Sequence, residues 1–159
     1  RHTRSERVTG VQTCALPSSV LFEENIVLTA TNYTAKSGNR IFFKANAFNK
    51  NDYVPNRYRN RKQPLEIQRG FLDEDEFEIK LPKDYVVEAL PNSISIENDF
   101  GQYEMKLQHD KDANELKYSR SLLIKEGLYP KEKYSEYRDF WKKIANADNE
   151  QIVLLKNHQ

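Results

Sequence analysis

The chain is poor in the residues on which several kinds of chemistry depend. Its 159 residues include one cysteine, five glycines, one methionine and one tryptophan. A single cysteine, Cys14, excludes an internal disulfide framework and a zinc site built from several thiolates. Five glycines leave no glycine-rich loop of the kind that cradles phosphate groups. No apolar run approaches the roughly 20 residues that a membrane-spanning helix needs, so we expect no transmembrane segment.

The first 17 residues lack the hydrophobic periodicity that appears soon after them. Residues 1–4 and 8–17 back-translate into strings that resemble the fixed parts of a widely used sequencing-library adapter. We interpret residues 1–17 as a non-native, adapter-derived and disordered segment, and residues 18–159 as a single domain from the C-terminal part of a larger protein. The alternative is a genuine disordered terminus with a free thiol at Cys14. Without the segment, 22 basic and 23 acidic residues remain, so net charge indicates no particular partner.

From residue 18 onward the dominant hydrophobic period is two. Over residues 76–81 apolar side chains alternate with charged ones, which indicates a strand with one face on a core and the other in water. Turn-forming residues such as those at 37–39 and 110–114 separate stretches of this kind. The predicted strands cover residues 25–33, 40–48, 65–69, 76–81, 85–90, 93–97, 103–107, 116–124 and 151–155.

One segment near the end of the chain has a helical period instead. Its apolar residues are Tyr134, Tyr137, Trp141, Ile144 and Ala145. Spacings of three and four place them on one stripe of a helix, which is more typical of core packing than of a ligand platform. Pro130 can precede this helix and Asn149 can end it. We therefore predict a mostly β fold, an antiparallel β-sandwich (immunoglobulin-like) with one C-terminal α-helix followed by a last strand.

One charged residue and two charged stretches depart from the simple alternation of apolar and polar residues. Arg120 stands at an inward position of its strand, so we expect it near a sheet edge or paired with a carboxylate. The acidic run at 73–76 is interpreted as the solvated start of a strand, since neighbouring strand residues point to opposite faces and cannot all converge on one ion. The stretch at 110–114 begins like a calcium loop but lacks the required glycine and glutamate, so we expect a hairpin turn.

Six stretches between residues 54 and 156 share their order and spacing with a known family, and the resemblance covers nearly all of residues 20–156. They read VPNRYRNRK at 54–62, PLEIQRGFLDEDEFEIKLP at 64–82, VVEALP at 86–91, FGQYEM at 100–105, LKYSRSLLIKEGLYP at 116–130 and EYRDFWKKIANADNEQIVLLK at 136–156. Together they resemble the C-terminal domain, of unknown function, of bacterial transglutaminase-like proteins. The resemblance implies a parent protein with a leading β-sandwich domain, a papain-like transglutaminase core and this trailing domain. It also implies a periplasmic or extracellular location for that parent.

Catalysis by a transglutaminase core requires a cysteine thiolate, a histidine that takes its proton and an aspartate that orients the histidine. Cys14 and His2 fall in the adapter-like segment, His109 stands in a charged turn and His158 is the penultimate residue. We therefore predict no catalytic residue, no metal and no cofactor, and we do not expect an enzyme. The predicted function is that of a non-catalytic accessory domain that packs against or orients the catalytic core of the same parent chain.

A basic and aromatic stretch is the best candidate for an interface. Its residues are Tyr53, Arg57, Tyr58, Arg59, Arg61 and Lys62. Such a stretch can dock onto an acidic surface of a neighbouring domain. The alternative is an extracellular module that binds glycan or protein through exposed tyrosines. The interleaving of basic and aromatic residues also suits single-stranded nucleic acid, but the near-neutral chain lacks a second basic stripe, so we expect no nucleic-acid partner.

Overall fold

The computed structural model describes residues 6–15, 21–30, 33–46 and 48–157, with the side chains of Glu23 and of the described residues from 33 onward. Within these ranges the chain forms twelve strands, one turn of 3₁₀ helix and one α-helix. The strands are β1 (Glu6–Ala15), β2 (Leu21–Ala30), β3 (Ala35–Ser37), β4 (Arg40–Lys44), β5 (Leu65–Ile67), β6 (Phe71–Lys80), β7 (Tyr85–Ala89), β8 (Ile94–Asn98), β9 (Gly101–Asp110), β10 (Glu115–Ile124), β11 (Gly127–Tyr129) and β12 (Gln151–Lys156). The 3₁₀ turn covers Lys131–Lys133 and the helix α1 covers Tyr134–Asp148.

The strands form three antiparallel sheets. The largest has the order β2-β1-β6-β10-β9-β8, the second has the order β3-β4-β12-β7, and β11 pairs with β5. The fold is therefore mostly β with sandwich-like packing, and its one long helix is followed by a last strand, as the sequence predicts. The hairpin expected at 110–114 joins β9 to β10, with Asn114 in the left-handed region at φ 54°.

The alternation of side chains decides which face of the large sheet is buried. Tyr103, Met105 and Leu107 of β9 point into the core, while the residues between them are exposed. On the central strands, Phe77 pairs with Tyr118 and their rings stack, with centroids 5.5 Å apart and an interplanar angle of 11°. Such cross-strand pairs contribute to pairing as well as to burial.

The helix closes the core with the apolar stripe predicted from its spacing. Trp141, Ile144 and Ala145 are buried, and Tyr137 is half-buried. Phe140 is also buried, which widens the stripe beyond the predicted residues. Apolar burial of this kind stabilises the fold by about 25 cal/mol per Å². The helix is thus held by packing, and it ends at Asn149, as expected.

Several boundaries differ from the sequence interpretation: β6 begins at Phe71 instead of residue 76, and the short strands β3 and β11 were not predicted. Residues 6–15, expected to be disordered, form β1, and residues 8–15 of it pair with β6. An unpaired edge strand presents a row of free backbone N–H and C=O groups, so almost any extended segment can add to it. The adapter origin of the segment stays a prediction. Strand β4 ends at residue 44 instead of 48, because the side chain of Asn46 accepts a hydrogen bond from the N–H of Asn49 and turns the chain.

Candidate functional site

A buried charged cluster lies beneath one end of the helix. Arg120, on the central strand β10, is only 3% exposed. Its Nη1 lies 2.8 Å from Oδ2 of Asp75, and its Nε lies 3.1 Å from Oδ1 of Asp148. The hydroxyl of Tyr103 donates a second hydrogen bond to Asp148, at 2.7 Å. Arg120 therefore pairs with both Asp75 and Asp148, and the second pair joins the large sheet to the last turn of α1.

The two carboxylates of this cluster are not equally satisfied. Asp148 accepts hydrogen bonds from Arg120, Tyr103 and the N–H of Asn51. Asp75 receives one short hydrogen bond from Arg120 and two long contacts, of 3.3 and 3.4 Å, from the amide of Asn49. Burial raises the pKa of Asp75 above its usual value, and the nearby Arg120 only partly offsets this effect. Burial also raises the pKa of Tyr103, and the charge of Asp148 adds to the increase.

The same cluster anchors the first residues of the 49–63 loop. The N–H of Asn51 donates to Oδ2 of Asp148 at 2.8 Å. Just beyond the helix, the amide of Asn149 donates to Oδ1 of Asp52 at 2.9 Å and to the carbonyl of Ala145 at 2.8 Å. The loop therefore leaves the sheet along a path that is fixed by the end of α1.

The far half of the loop is held by the beginning of the helix. The hydroxyl of Tyr134 donates to the carbonyl of Asn56 at 2.8 Å. The guanidinium of Arg61 lies 4.3 Å from the centre of the Tyr134 ring and donates to the carbonyls of Gln63 and Pro64. A stacked arginine with two of its donors bound to loop carbonyls holds the loop in place.

A cleft of about 870 Å³ lies between the 49–63 loop and the N-terminal half of the helix. We call it the basic cleft, because its charged lining residues are five cations and two carboxylates. They are Arg57, Arg59, Arg61, Lys131 and Arg138, with Glu132 and Asp139. This excess of positive charge in a concave surface favours an anionic ligand.

The cations of the basic cleft differ in how far they are already engaged. Lys131 lies 3.9 Å from Glu132, a long ion pair between exposed side chains. Arg57 and Arg59 are exposed and form no hydrogen bond or ion pair within the described part of the chain. Arg138 is half-buried, and its Nε is shielded from solvent and lacks an acceptor among the described residues. A buried donor without a partner is uncommon in folded proteins and calls for an explanation.

The structure brings together four of the six residues predicted as an interface. Arg57, Tyr58, Arg59 and Arg61 line the basic cleft, with Tyr58 56% exposed. Tyr53 lies beside it, 64% exposed, with its ring edge-on to Trp141 at 6.5 Å. Lys62, also exposed, does not line the cleft.

Sequence reasoning missed the contribution of the helix. Lys131 and Arg138 are seven residues apart, which places them on nearly the same side of a helix. This spacing is visible in the sequence, but nothing in the sequence indicated that the 49–63 loop would lie opposite them.

The prediction for Asp75 was wrong: it belongs to the acidic run that we interpret as solvated, but it is fully buried. It shares its face of β6 with Phe77 and Ile79, and that phase was the available signal. Arg120 is paired with carboxylates, one of the two alternatives expected for it, and it lies on an interior strand of the sheet.

The backbone register separates the two residues that could have formed a cysteine–histidine pair. Cys14 pairs with Asp73, which pairs in turn with Leu122 of β10. His109 pairs with Leu116 of the same strand. Six positions along a strand correspond to about 20 Å, so Cys14 and His109 cannot act as a nucleophile and its base. His2 and His158 lie outside the described residues.

Among the described residues, no three or more histidine, cysteine or acidic side chains are grouped so as to hold a metal ion. None of the helices described in the chain has the length of apolar surface that spanning a membrane requires.

Fold and cleft together define a small, mostly antiparallel β domain with one packed helix and a polar, cation-rich cleft. The family model of a domain of unknown function, DUF3858, matches residues 39–154, and the chain belongs to this family. The match includes both the 49–63 loop and the helix that form the basic cleft. Neither a curated protein nor a solved structure matches the chain.

Proposed function

We propose that this chain is the non-catalytic C-terminal accessory domain of a bacterial transglutaminase-like protein, with residues 1–17 derived from an adapter. In this proposal the domain packs against or orients the catalytic core of its parent, in the periplasm or outside the cell. The basic cleft and the neighbouring Tyr53 form the contact surface. We expect nucleic acid not to be a partner, because the chain is nearly neutral and lacks a second basic stripe.

The observation that carries the proposal is that the 49–63 loop is held at both ends while its outer side chains stay free. Asn51 and Asp52 are tied to the end of the helix, and Arg61 is stacked on its beginning. Between them, Arg57 and Arg59 are exposed. A surface whose backbone is already ordered loses little conformational entropy on binding, so it suits a permanent contact with a neighbouring domain.

The test is whether the domain docks onto the core of its parent. The upstream reading frame would be recovered from the source DNA, its core expressed separately, and binding to this chain measured by isothermal titration calorimetry. We expect a complex that weakens at least tenfold with the double substitution R57E/R59E. The matched control is K142E/K143E on the exposed face of the helix, which we expect to change affinity less than threefold. No complex, or equal effects of both double variants, would contradict the proposal.

A second candidate function is an independent recognition module for glycan or protein. The observation in its favour is the exposure of two aromatic rings, Tyr53 and Tyr58, on one surface. Such rings offer apolar faces to a sugar or a peptide. This function predicts that the chain alone binds an oligosaccharide or protein, and that Y53A and Y58A abolish that binding while R57E/R59E does not.

A further inference from the structure

We propose that the basic cleft is a carboxylate-binding site, and that its occupant is an extended acidic segment of a protein partner. Arg138 fixes one carboxylate of that segment and the loop arginines hold the next. The inference rests on the proposed docking function and names the chemistry of the partner.

The first argument is the state of Arg138. Its Nε is buried and has no acceptor among the described residues, whereas a guanidinium normally uses its planar fork of donors when it is removed from water. A carboxylate matches that fork with two parallel hydrogen bonds, which are shorter and stronger than neutral ones. A partner carboxylate that displaces the groups shielding this Nε would therefore satisfy a donor that the described residues leave unpaired.

The second argument is the distribution of the remaining charges. Arg61 donates from its Nε and Nη2 to the carbonyls of Gln63 and Pro64, so part of its guanidinium is already engaged in holding the loop. Arg57 and Arg59 on the loop side have no partner within the described chain and can face a second carboxylate. The cleft thus contains one partly buried arginine, Arg138, and two exposed arginines, Arg57 and Arg59, that are available to bind carboxylates.

The third argument is the distance over which these cations are spread. Lys131 and Arg138 are separated by one 3₁₀ turn and one turn of the α-helix, a rise of about 12 Å. Carboxylates four residues apart on one face of an extended chain are separated by about 13 Å. An extended acidic segment therefore matches the spacing of these two cations.

The aromatic residues favour a peptide over an acidic sugar. A sugar ring needs a free aromatic face on which to stack. The Tyr134 ring on the cleft wall is covered by Arg61, and the ring of Tyr58 leans on Tyr134 with centroids 5.6 Å apart. The cleft is therefore lined by guanidinium groups more than by open rings.

The experiment uses the full chain and a fluorescein-labelled peptide of ten glutamates, with binding followed by fluorescence anisotropy at low and high salt. The matched probe is a peptide of ten glutamines. An unlabelled oligouronate and inorganic phosphate are added as competitors. We expect the glutamate peptide to bind at least tenfold more tightly than the glutamine peptide and to weaken with salt, because the contacts are ionic and partly exposed. We expect neither competitor to displace it at equal charge concentration.

Substitutions on the helix identify the group responsible. R138Q removes the charge and the Nε donor, and we expect the affinity for the glutamate peptide to fall at least tenfold. R138K keeps the charge without the fork, and we expect an intermediate loss. The control K143Q removes one charge from the exposed face of the same helix and should change the affinity less than twofold. Thermal unfolding of each variant checks that the fold is kept, and if R138Q unfolds, the comparison of R138K with K143Q replaces it.

Three results would overturn the inference: equal binding of the two peptides, displacement by oligouronate or phosphate at equal charge concentration, or an R138Q effect no larger than that of K143Q. These failures are separable from failure of the proposed function. A core complex that persists without peptide binding would leave the docking function intact and remove only the carboxylate site. Peptide binding without a core complex would leave the carboxylate site intact and contradict the docking function.

Discussion

The Nε of Arg120, in the interior of the six-stranded sheet, lies 3.1 Å from Oδ1 of Asp148 in the last turn of the helix. Both side chains are nearly inaccessible to solvent. The contact couples two layers of the fold, and Asp148 passes the coupling on to the 49–63 loop through the N–H of Asn51. Breaking it should therefore affect stability and loop position together.

We expect the substitution Asp148→Ala to lower the free energy of unfolding by about 3–5 kcal/mol, since it leaves the Nε of Arg120, the hydroxyl of Tyr103 and the N–H of Asn51 without their acceptor. The matched control is Asp139→Ala, an exposed aspartate on the same helix, with an expected change within about 0.5 kcal/mol. Urea unfolding followed by circular dichroism measures both. Similar losses for the two variants would mean that the cluster does not stabilise the fold.

The raised pKa of Asp75 predicts a dependence of stability on pH. A carboxyl group with a higher pKa in the folded state binds its proton more readily there than in the unfolded chain. Its contribution to stability is therefore present below the ordinary aspartate pKa of about 4 and is lost as the pH rises through the folded-state pKa. Asp75→Asn removes this group.

The free energy of unfolding of Asp75→Asn minus that of the unsubstituted chain should therefore increase as the pH is raised from about 4, by no more than about 1.4 kcal/mol per pH unit. Urea unfolding at several pH values between 4 and 8 checks this. The exposed Asp112→Asn is the control, with an expected difference that stays flat. A difference that decreases with pH for Asp75→Asn would mean that the pKa of Asp75 is lowered in the folded state, which would contradict the prediction.

Gly101 occupies a place in the sheet that excludes a side chain. A Cβ atom there would lie 1.9 Å from the backbone carbonyl oxygen of Leu123, and the residue has φ 157°. Because a backbone atom cannot swing aside, we expect Gly101→Ala to destabilise the fold by about 3 kcal/mol or more. At Gly38 there is open space, so Gly38→Ala meets only the left-handed φ of 56° and should lose about 1–2 kcal/mol. Chemical unfolding of both variants tests the order, and a larger loss at Gly38 would contradict it.

Much of the fold was predictable because it follows from local periods. The alternation over 76–81 and the helical spacing from Tyr134 to Ala145 are properties of neighbouring residues, and both appear in the structure. The division into three sheets was not predictable, since it depends on pairings between distant segments such as β4 with β12. The strand β1 was missed for a related reason: its pairing depends on the free edge of β6 as well as on its own sequence.

The candidate site was predictable only on its loop side. Arginines at every second position of 57–61, with Tyr58 between two of them, stand out in the sequence. Arg138 looks like any other helix residue until the loop is placed against it. The buried aspartates could have been found from their phase, because Asp148 continues the spacing of Trp141, Ile144 and Ala145. A charged aspartate is expected in solvent, because burying a charge is costly. Asp75 and Asp148 are buried instead, because Arg120 lies in the core and pairs with both of them.

The hydroxyl of Tyr134 offers a test of how the 49–63 loop is held. It donates to the carbonyl of Asn56 at 2.8 Å, and Tyr134→Phe removes this hydrogen bond while keeping the ring under Arg61. We expect a loss of about 1 kcal/mol in stability and faster amide hydrogen exchange around residues 54–60. The control is Tyr129→Phe, whose hydroxyl donates to the carbonyl of Asp99 and does not touch the loop. Exchange in the loop should be unchanged there, and equal acceleration by both variants would show that the loop is ordered by other contacts.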